Sequence, residues 1–238
     1  MKQLDSVRYT FSAHNIGLPD GTLTRPGTEP VANTGICRAA LRDLELAFPT
    51  RGIPPKVADV GCLEGGYTVA FAQAGYDVTG FEARAENIAC CEFVAERLAL
   101  PNLRFERADV RDVFTQPDAW DAVFCCGLLY HLDNPVTFLN QLGRATKRLL
   151  IVQTHYSTHP DAEHEGHSGH WYSEGNGRWE SWKNDRSFWL TRRDLMSAMR
   201  DAGFDLVFEQ ADQRADILAD DTTVPDARSM FVGIKTPG

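Results

Sequence analysis

The chain has 238 residues, of which 43% are hydrophobic and 24% are charged, and its formal net charge is −9. The length fits one α/β domain of ordinary size, and the composition is that of a soluble globular protein. No apolar run approaches a membrane span or a signal-peptide core, so we expect a cytoplasmic protein with no membrane segment. The negative charge argues against a surface built generally for nucleic acid. Six cysteines include two adjacent pairs, which fits reduced thiols better than disulfides.

The N-terminal part of the chain predicts an irregular arm. Residues 1–32 are rich in Gly, Pro and Thr and show no sustained periodicity. Three ring-bearing side chains of this arm, Tyr9, Phe11 and His14, either close over a ligand or pack against the domain. A capped helix is expected to follow from Thr34, so that residues 1–50 form an arm and a helix of one single domain.

An alternation of strands and helices follows the arm. Strands are expected at about 56–61, 76–82, 103–108, 120–126 and 148–154, with a helical pattern between consecutive strands except between the third and the fourth. This alternation predicts an α/β fold with a doubly wound, mostly parallel sheet and right-handed crossovers.

The regular pattern stops at residues 155–189. No helix or strand pattern is sustained there, yet the stretch holds four of the five tryptophans and five of the seven histidines. A long loop inside a compact domain is usually functional or disordered, and the aromatic content argues against disorder. We therefore expect an aromatic-rich insertion that serves as a lid. A helix should follow, with Thr191 and Asp194 forming a capping box.

The turn after the first strand indicates the kind of ligand. Dinucleotide-binding turns need glycine at the first, third and sixth positions, and here those positions are Gly61, Leu63 and Gly66. The middle glycine is missing. In addition, Asp59 and Glu64 place negative charge beside a helix N-terminus that would otherwise attract phosphate. The turn therefore suits a cation better than a pyrophosphate.

Four successive segments resemble the motifs of class I S-adenosylmethionine (SAM)-dependent methyltransferases. They are Asp-Val-Gly-Cys-Leu-Glu-Gly-Gly at 59–66, Gly-Phe-Glu-Ala-Arg at 80–84, Ala-Asp-Val at 108–110 and Asp-Ala-Val-Phe-Cys-Cys-Gly at 121–127. The resemblance covers residues 56–154. It implies SAM as cofactor and a Rossmann-like sheet of seven strands, whose last two, near 205–210 and 229–235, form an antiparallel hairpin.

The resemblance also implies cofactor-binding roles. Glu82 ends the second strand, about where a dinucleotide fold places the acid that binds ribose hydroxyls. Asp109 resembles the residue that accepts the adenine amino hydrogen, and its alternative role is to cap a helix. Arg84 either flanks the adenine or is solvated. The expected cofactor-binding residues are Asp59, Gly61, Gly65, Glu82, Arg84, Asp109, Val110 and Cys126, the last through its backbone carbonyl.

Two histidines follow the strands whose ends flank the methyl donor in this fold. His131 lies after the fourth strand and His155 after the fifth. A hydroxyl acceptor must lose a proton near neutral pH, and histidine suits that task. Either one is a candidate catalytic base. We favour His155 slightly because it opens the aromatic insertion, whereas His131 has the alternative of a structural imidazole bonded to backbone.

The aromatic residues of the insertion predict how the acceptor binds. Tryptophan contributes little to an exposed loop unless it buries against something, so the rings form either a small core or a pocket for sugar or aromatic rings. The expected substrate-binding residues are Tyr130, Trp171, Tyr172 and Trp189. The spacing of the loop histidines is not diagnostic of a metal, and none is predicted.

The sequence thus predicts methylation of a hydroxyl group on a small molecule, such as a sugar or natural product, with nucleic acid an unlikely acceptor. Two alternatives stay open. Residues 127–135 and 186–190 resemble the bacterial enzymes that modify the tRNA wobble uridine by carboxymethyl transfer, and residues 178–193 hold five basic and two acidic side chains interleaved with tryptophan. The other alternative is a SAM-binding regulatory subunit without catalysis. A homo-oligomer is also left open.

Overall fold

The computed structural model describes residues 9–49, 52–175, 181–210 and 226–236. The helices are α1 (Gly35–Ala47), α2 (Gly66–Gln73), α3 (Ala85–Leu98), α4 (Val110–Val113), α5 (Pro135–Ala145) and α6 (Arg192–Asp201), with short 3₁₀ turns at Val31–Asn33 and Leu129–His131. The strands are β1 (Lys56–Val60), β2 (Asp77–Glu82), β3 (Leu103–Arg107), β4 (Trp120–Cys126), β5 (Thr146–Ser157), β6 (Ala162–His164), β7 (His167–Ser173), β8 (Arg186–Leu190), β9 (Leu206–Gln210) and β10 (Asp226–Ile234).

The strands form one large and one small sheet. The large sheet has seven strands in the order β3-β2-β1-β4-β5-β10-β9. β2 pairs in parallel with β1 and β3, β4 pairs in parallel with β5, and β10 is antiparallel to both β5 and β9. The predicted Rossmann-like α/β fold, including its final antiparallel hairpin, is confirmed.

The chain forms two compact units, which are Met1–Val113 and Phe114–Gly238. The first contains β1 to β3 with α1 to α4. Four of the five residues of β1 are buried, as expected for a parallel strand covered on both faces. The second unit contains β4 to β10 with α5 and α6. Its long strand β5 is likewise buried along most of its length. In the described residues, every helix is too short or too polar to span a bilayer.

The predicted N-terminal cap is formed fully at α1 and only partly at α6. The Thr34 side chain accepts a hydrogen bond from the Cys37 N–H and so begins α1 as predicted. Thr191 likewise accepts from the Asp194 N–H, at 3.1 Å. The Asp194 carboxylate, however, accepts from the Ser168 N–H at 2.6 Å. Only half of the predicted capping box is therefore formed, because Asp194 ties α6 to strand β7.

The prediction that residues 155–189 sustain no strand pattern is wrong. Strand β5 continues to Ser157, and β6, β7 and β8 form an antiparallel three-stranded sheet. The pattern is weak because the strands are short and carry histidine and glycine. Gly169 is required where it stands, since a Cβ there would lie 2.3 Å from the Trp189 carbonyl oxygen. Trp179 lies outside the described residues.

The N-terminal arm packs against the first unit. The ring centroids of Tyr9 and Phe93 are 4.6 Å apart, and those of Phe11 and Phe93 are 6.2 Å apart. Of the two roles expected for these aromatic residues, the structure therefore shows packing against α3.

Candidate functional site

The glycine turn after β1 is held tightly by its neighbours. Gly61 and Gly65 have φ values of 75° and 82°, in the left-handed region that glycine adopts without strain. The N–H groups of Gly61 and Cys62 both donate to the Phe81 carbonyl oxygen, at 2.9 Å. A Cβ at Gly65 would lie 2.6 Å from the Phe105 ring. The turn is thus a close-packed element in which a side chain at Gly65 would displace the Phe105 ring of β3.

The carboxylate of Glu64, beside the turn, binds the N-terminal arm. It accepts hydrogen bonds from the N–H groups of Ser12, Ala13 and His14 and from the Ser12 hydroxyl, at 2.7–3.0 Å. Burial alone raises the pKa of Glu64, but these hydrogen bonds outweigh it and the pKa is lowered. The predicted negative charge of Glu64 thus lies beside the turn and anchors the arm, and its effect on a cationic ligand stays a prediction.

His14 completes this anchor by capping α2. Its Nδ1 accepts a hydrogen bond from the Gly66 N–H at 2.9 Å, a group that Gly65, without a side chain, cannot satisfy. Burial lowers the pKa of His14 to about 4, although the nearby Glu64 charge acts in the opposite direction. The ring is therefore neutral and keeps the lone pair on Nδ1 that the cap requires.

Asp59 lies in the core below the turn. Its carboxylate accepts a hydrogen bond from the Thr68 hydroxyl at 2.6 Å, which joins β1 to the first turn of α2. Burial raises the pKa of Asp59 to about 7, and the hydrogen bond from Thr68 opposes that change. Its contact with the cofactor stays a prediction, and the observed contact supports the turn.

Glu82 is at the end of β2, as predicted. The carboxylate is buried and accepts a hydrogen bond from the Arg84 N–H at 2.8 Å. Burial raises the pKa of Glu82, while the hydrogen bond from the Arg84 N–H and the Arg84 charge oppose that change. A buried carboxylate at the carboxyl end of a strand, next to the glycine-turn strand, suits a ribose diol.

Asp109 and Val110 follow β3 as expected. The Asp109 carboxylate accepts from the Arg111 side chain at 2.9 and 2.7 Å and from the Arg111 N–H at 3.2 Å. These contacts match the alternative role, a cap for the short helix α4, with an ion pair added. Val110 is buried, and Arg84 is the N-cap residue of α3. The adenine contacts of all three residues stay predictions.

In the second unit, Cys126 ends β4 opposite Gln153 of β5. The Gly127 N–H donates to the Gln153 carbonyl oxygen at 2.9 Å, and φ of Gly127 is 73°. The chain therefore leaves the sheet sharply at the carboxyl end of β4. The Gln153 side chain accepts a hydrogen bond from Arg228 at 2.7 Å. That the Cys126 carbonyl meets the methionine ammonium stays a prediction.

His131 is fixed by contacts to the insertion. Its Nδ1 lies 3.0 and 3.1 Å from the two carboxylate oxygens of Glu174. The His131 carbonyl oxygen accepts from the Ser181 hydroxyl at 2.7 Å and from the Asn184 side chain at 3.2 Å. The Glu174 side chain is only 1% exposed, whereas the imidazole is 17% exposed. His131 is thus a partly accessible imidazole with a buried carboxylate behind it.

His155 has a different environment, inside an aromatic stack. Its ring stacks on Trp189 with centroids 5.0 Å apart and meets Tyr130 edge-on at 4.7 Å. Burial, then the positive charge of Arg228, lowers the pKa of His155 to about 4. Its Nδ1 is buried with no hydrogen-bond partner among the described residues. His155 is therefore neutral, but it is a weak base.

Replacing Arg228 by Gln is expected to raise the pKa of His155, because Arg228 is the second cause that lowers it. Burial remains, so the pKa should stay below 6.5, its ordinary value. The measurement is a ¹⁵N NMR titration of labelled histidines. Arg193→Gln removes an equal charge from the exposed face of α6 and should leave the pKa at about 4. The same pKa of His155 in the wild type, Arg228→Gln and Arg193→Gln would contradict this effect of Arg228.

The predicted acceptor-binding aromatics divide between the two faces of the small sheet. Tyr172 stacks on Trp189 with centroids 4.6 Å apart, and Trp189 lies 5.9 Å from Tyr130. The Trp189 indole donates to the Tyr130 carbonyl oxygen at 2.7 Å. Trp171 instead contacts Phe188, with Arg186 4.0 Å above its ring. Strand alternation separates Trp171 from Tyr172, so the structure groups three of the four predicted residues.

The space between these aromatics is small. A cavity of about 10 Å³ lies against Tyr130, His155 and Trp189, which is room for about one water molecule. An acceptor ring therefore does not fit inside it. The accessible part of the aromatic group is Tyr172, which is 44% exposed.

The insertion histidines are held in separate contacts. His170 pairs with Asp161 at 2.9 Å, and His167 Nδ1 lies 3.0 Å from the Glu165 carbonyl oxygen. Within the described ranges, no three His, Cys, Asp or Glu side chains come together as metal ligands would.

Sequence reasoning did not identify Glu174, Gln153 or Arg228. Glu174 is 43 residues from His131 and Arg228 is 75 residues from Gln153. No local spacing signals contacts of this range. The sequence feature that could have indicated Glu174 is its position shortly after the aromatic pair Trp171 and Tyr172.

Comparison with known sequences identifies the family. A methyltransferase-domain family model matches residues 34–209, and the chain belongs to this family of SAM-dependent methyltransferases. The N-terminal domain of EvdMO1, crystallised in the presence of SAH and D-fucose, has a similar structure: the TM-score is 0.72, identity is 27%, and the match covers 91% of this chain and 88% of that chain. These findings confirm SAM as cofactor and support an enzyme over a regulatory subunit.

Curated relatives match a shorter part of the chain. A tRNA U34 carboxymethyltransferase of Trichodesmium erythraeum is 29% identical over 91 residues, which are 38% of this chain and 28% of the relative. A ubiquinone biosynthesis O-methyltransferase of Psychrobacter arcticus is 33% identical over 87 residues, 36% of this chain and 34% of the relative. The chain thus spans about a third of these relatives or less.

Proposed function

We propose that this protein transfers the methyl group of SAM to a hydroxyl group of a small molecule, with a sugar the favoured acceptor. The observation that carries the proposal is a partly accessible imidazole beside an aromatic surface. The ring centroids of His131 and Tyr130 are 4.3 Å apart. The aromatic surface consists of Tyr130, Trp189 and Tyr172, in which the Trp189 ring contacts both Tyr130 and the exposed ring of Tyr172. Aromatic rings cover the apolar faces of sugars, and a nearby base acts on their hydroxyl groups.

The reaction is an in-line displacement. The acceptor oxygen attacks the methyl carbon, the carbon–sulfur bond breaks, and its electron pair stays on sulfur as SAH leaves. The hydroxyl proton passes to the imidazole of His131 and then to solvent. The protein supplies alignment of oxygen, carbon and sulfur, and it removes the proton.

We assign the base to His131 and not to His155. A base acts best when its pKa is close to the working pH, and the pKa of His155 is lowered to about 4. Its stacking on Trp189 also gives His155 a place in the aromatic surface. This assignment reverses the slight preference drawn from the sequence, which did not show the burial of His155 or its proximity to Arg228.

The comparisons support a hydroxyl acceptor. One structural neighbour was crystallised with D-fucose present, and one curated relative is an O-methyltransferase. The proposal is tested by measuring SAH release from SAM with D-fucose and a panel of other sugars, each paired with a derivative that lacks one hydroxyl. Release that depends on one hydroxyl supports the proposal. Release with amine or thiol compounds but with no hydroxyl compound would overturn it.

A second candidate function is tRNA modification, favoured by the tRNA U34 carboxymethyltransferase relatives. The cation of Arg186 over Trp171 also resembles a base-stacking surface. We nevertheless expect no salt-sensitive, submicromolar binding of bulk tRNA, because the net charge of −9 opposes the phosphate attraction that dominates such binding. The measurement is a filter-binding titration at two salt concentrations. Tight binding that weakens with salt would favour the tRNA function.

A further inference from the structure

The contact between the insertion and His131 is more specific than packing requires. Glu174 directly follows β7 and belongs to the segment that carries the three-stranded sheet. Its carboxylate is buried, and burying a carboxylate is costly unless it is hydrogen-bonded. Both oxygens lie at hydrogen-bonding distance from one ring atom, Nδ1 of His131, and Oε2 also accepts from the Ser181 N–H at 2.9 Å.

We propose that Glu174 is the positioning residue of the catalytic base, so that the aromatic insertion forms part of the proton-transfer machinery. This inference rests on the proposed function, in which His131 takes the hydroxyl proton. Glu174 itself touches neither SAM nor acceptor in this role and acts through His131.

Two effects on the imidazole follow from the contact. A carboxylate only accepts hydrogen bonds, so the neutral ring must carry its proton on Nδ1 and its lone pair on Nε2. When Nε2 takes the acceptor proton, the ring becomes a cation and the carboxylate stabilises it. Glu174 thus sets the tautomer before the reaction and lowers the energy of the charge formed during it.

The geometry predicts a distinctive effect of Glu174→Gln. The Ser181 N–H needs an acceptor, so the amide oxygen should take the place of Oε2. The amide NH₂ group then takes the place of Oε1, 3.0 Å from Nδ1. There it donates to Nδ1, which forces the ring proton onto Nε2 and removes the lone pair that accepts the hydroxyl proton.

The test combines tautomer and kinetics. Long-range ¹H–¹⁵N spectra of histidine-labelled protein, at a pH where imidazole is neutral, should show His131 protonated on Nδ1 in the wild type and on Nε2 in Glu174→Gln. A His131→Asn spectrum assigns the signal. Glu174→Asp keeps a carboxylate and should restore the Nδ1-protonated form. Glu163→Gln, at the exposed position of β6, is the matched control and should leave the tautomer unchanged.

For kinetics, the substrate is the hydroxyl compound with the highest SAH release in the sugar panel. Glu174→Gln should lower kcat at least about 10-fold, and at most by the roughly 10²- to 10⁴-fold expected on loss of the general base itself, and leave SAM affinity unchanged.

Retention of the Nδ1-protonated tautomer in Glu174→Gln would overturn the inference. Wild-type kcat in Glu174→Gln together with loss of kcat in His131→Asn would also overturn it, while His131 remained the base. Wild-type kcat in His131→Asn would instead show that His131 is not the base. The Glu174→Gln variant thus tests the positioning role, and the His131→Asn variant tests the proposed base.

Discussion

Replacing His131 by Asn is expected to lower kcat by about 10²- to 10⁴-fold while SAM affinity stays nearly unchanged. Asparagine places an NH₂ group where Nδ1 stands, so the contact to Glu174 is kept and the fold is disturbed little. It has no group that takes a proton near neutral pH. The loss should therefore appear in the chemical step, which single-turnover kinetics separates from binding.

The pH dependence of the two proteins should also differ. A base must be unprotonated to act, so kcat of the wild type should rise with increasing pH, and His131→Asn should lose that ascending limb. His159→Asn, an exposed histidine of the insertion, is the control and should keep wild-type kcat. Near wild-type kcat in His131→Asn would remove His131 from the mechanism and leave Tyr130 or simple proximity as the explanation.

Replacing Glu82 by Gln is expected to weaken the binding of both SAM and SAH by about 10- to 100-fold. A hydrogen bond to a charged group contributes roughly 1.5–3 kcal/mol, and each 1.4 kcal/mol or so is a factor of about ten in Kd. Both ligands carry the ribose diol, so both should lose the same contacts. Calorimetry measures the two Kd values, and a thermal melt checks that the variant is folded.

The same residue predicts a pH effect. Burial raises the pKa of Glu82, so SAM affinity should fall with decreasing pH, starting above the pH where an ordinary glutamate is protonated. Glu86→Gln, four residues further along the chain and exposed, should bind SAM as the wild type does. Unaltered binding in Glu82→Gln, or tighter binding of NAD than of SAM by the wild type, would contradict the assigned cofactor contact.

The fold followed from the sequence because its central strands are covered on both faces. Such strands are near-continuous apolar runs between turn signals, and β4 is found at Trp120–Cys126, the predicted bounds. The insertion was predicted less well. Its strands are stabilised by ring contacts between distant residues, such as Trp171 with Phe188, and these leave no alternation of apolar and polar residues to detect.

The candidate site likewise contains residues that the local sequence could predict and others that it could not. Glu82 could be predicted because its place is set by the strand that follows the glycine turn. The relative merits of His131 and His155 could not, since they depend on Glu174 and Arg228, which come close only through tertiary structure. The contacts of Glu64 could not be predicted for the same reason, because nothing near it in sequence shows that the arm at Ser12–His14 binds its carboxylate.

The most direct measurement of the central claim follows the methyl group itself. The purified protein is incubated with SAM that carries a CD₃ group and with a small-molecule extract of the source cells, and the products are identified by mass spectrometry and fragmentation. The proposed function predicts a product that carries one CD₃ group on the oxygen of a former hydroxyl, and none after heat treatment of the protein. Labelling confined to nucleic acid, or to carbon or nitrogen of small molecules, would contradict it.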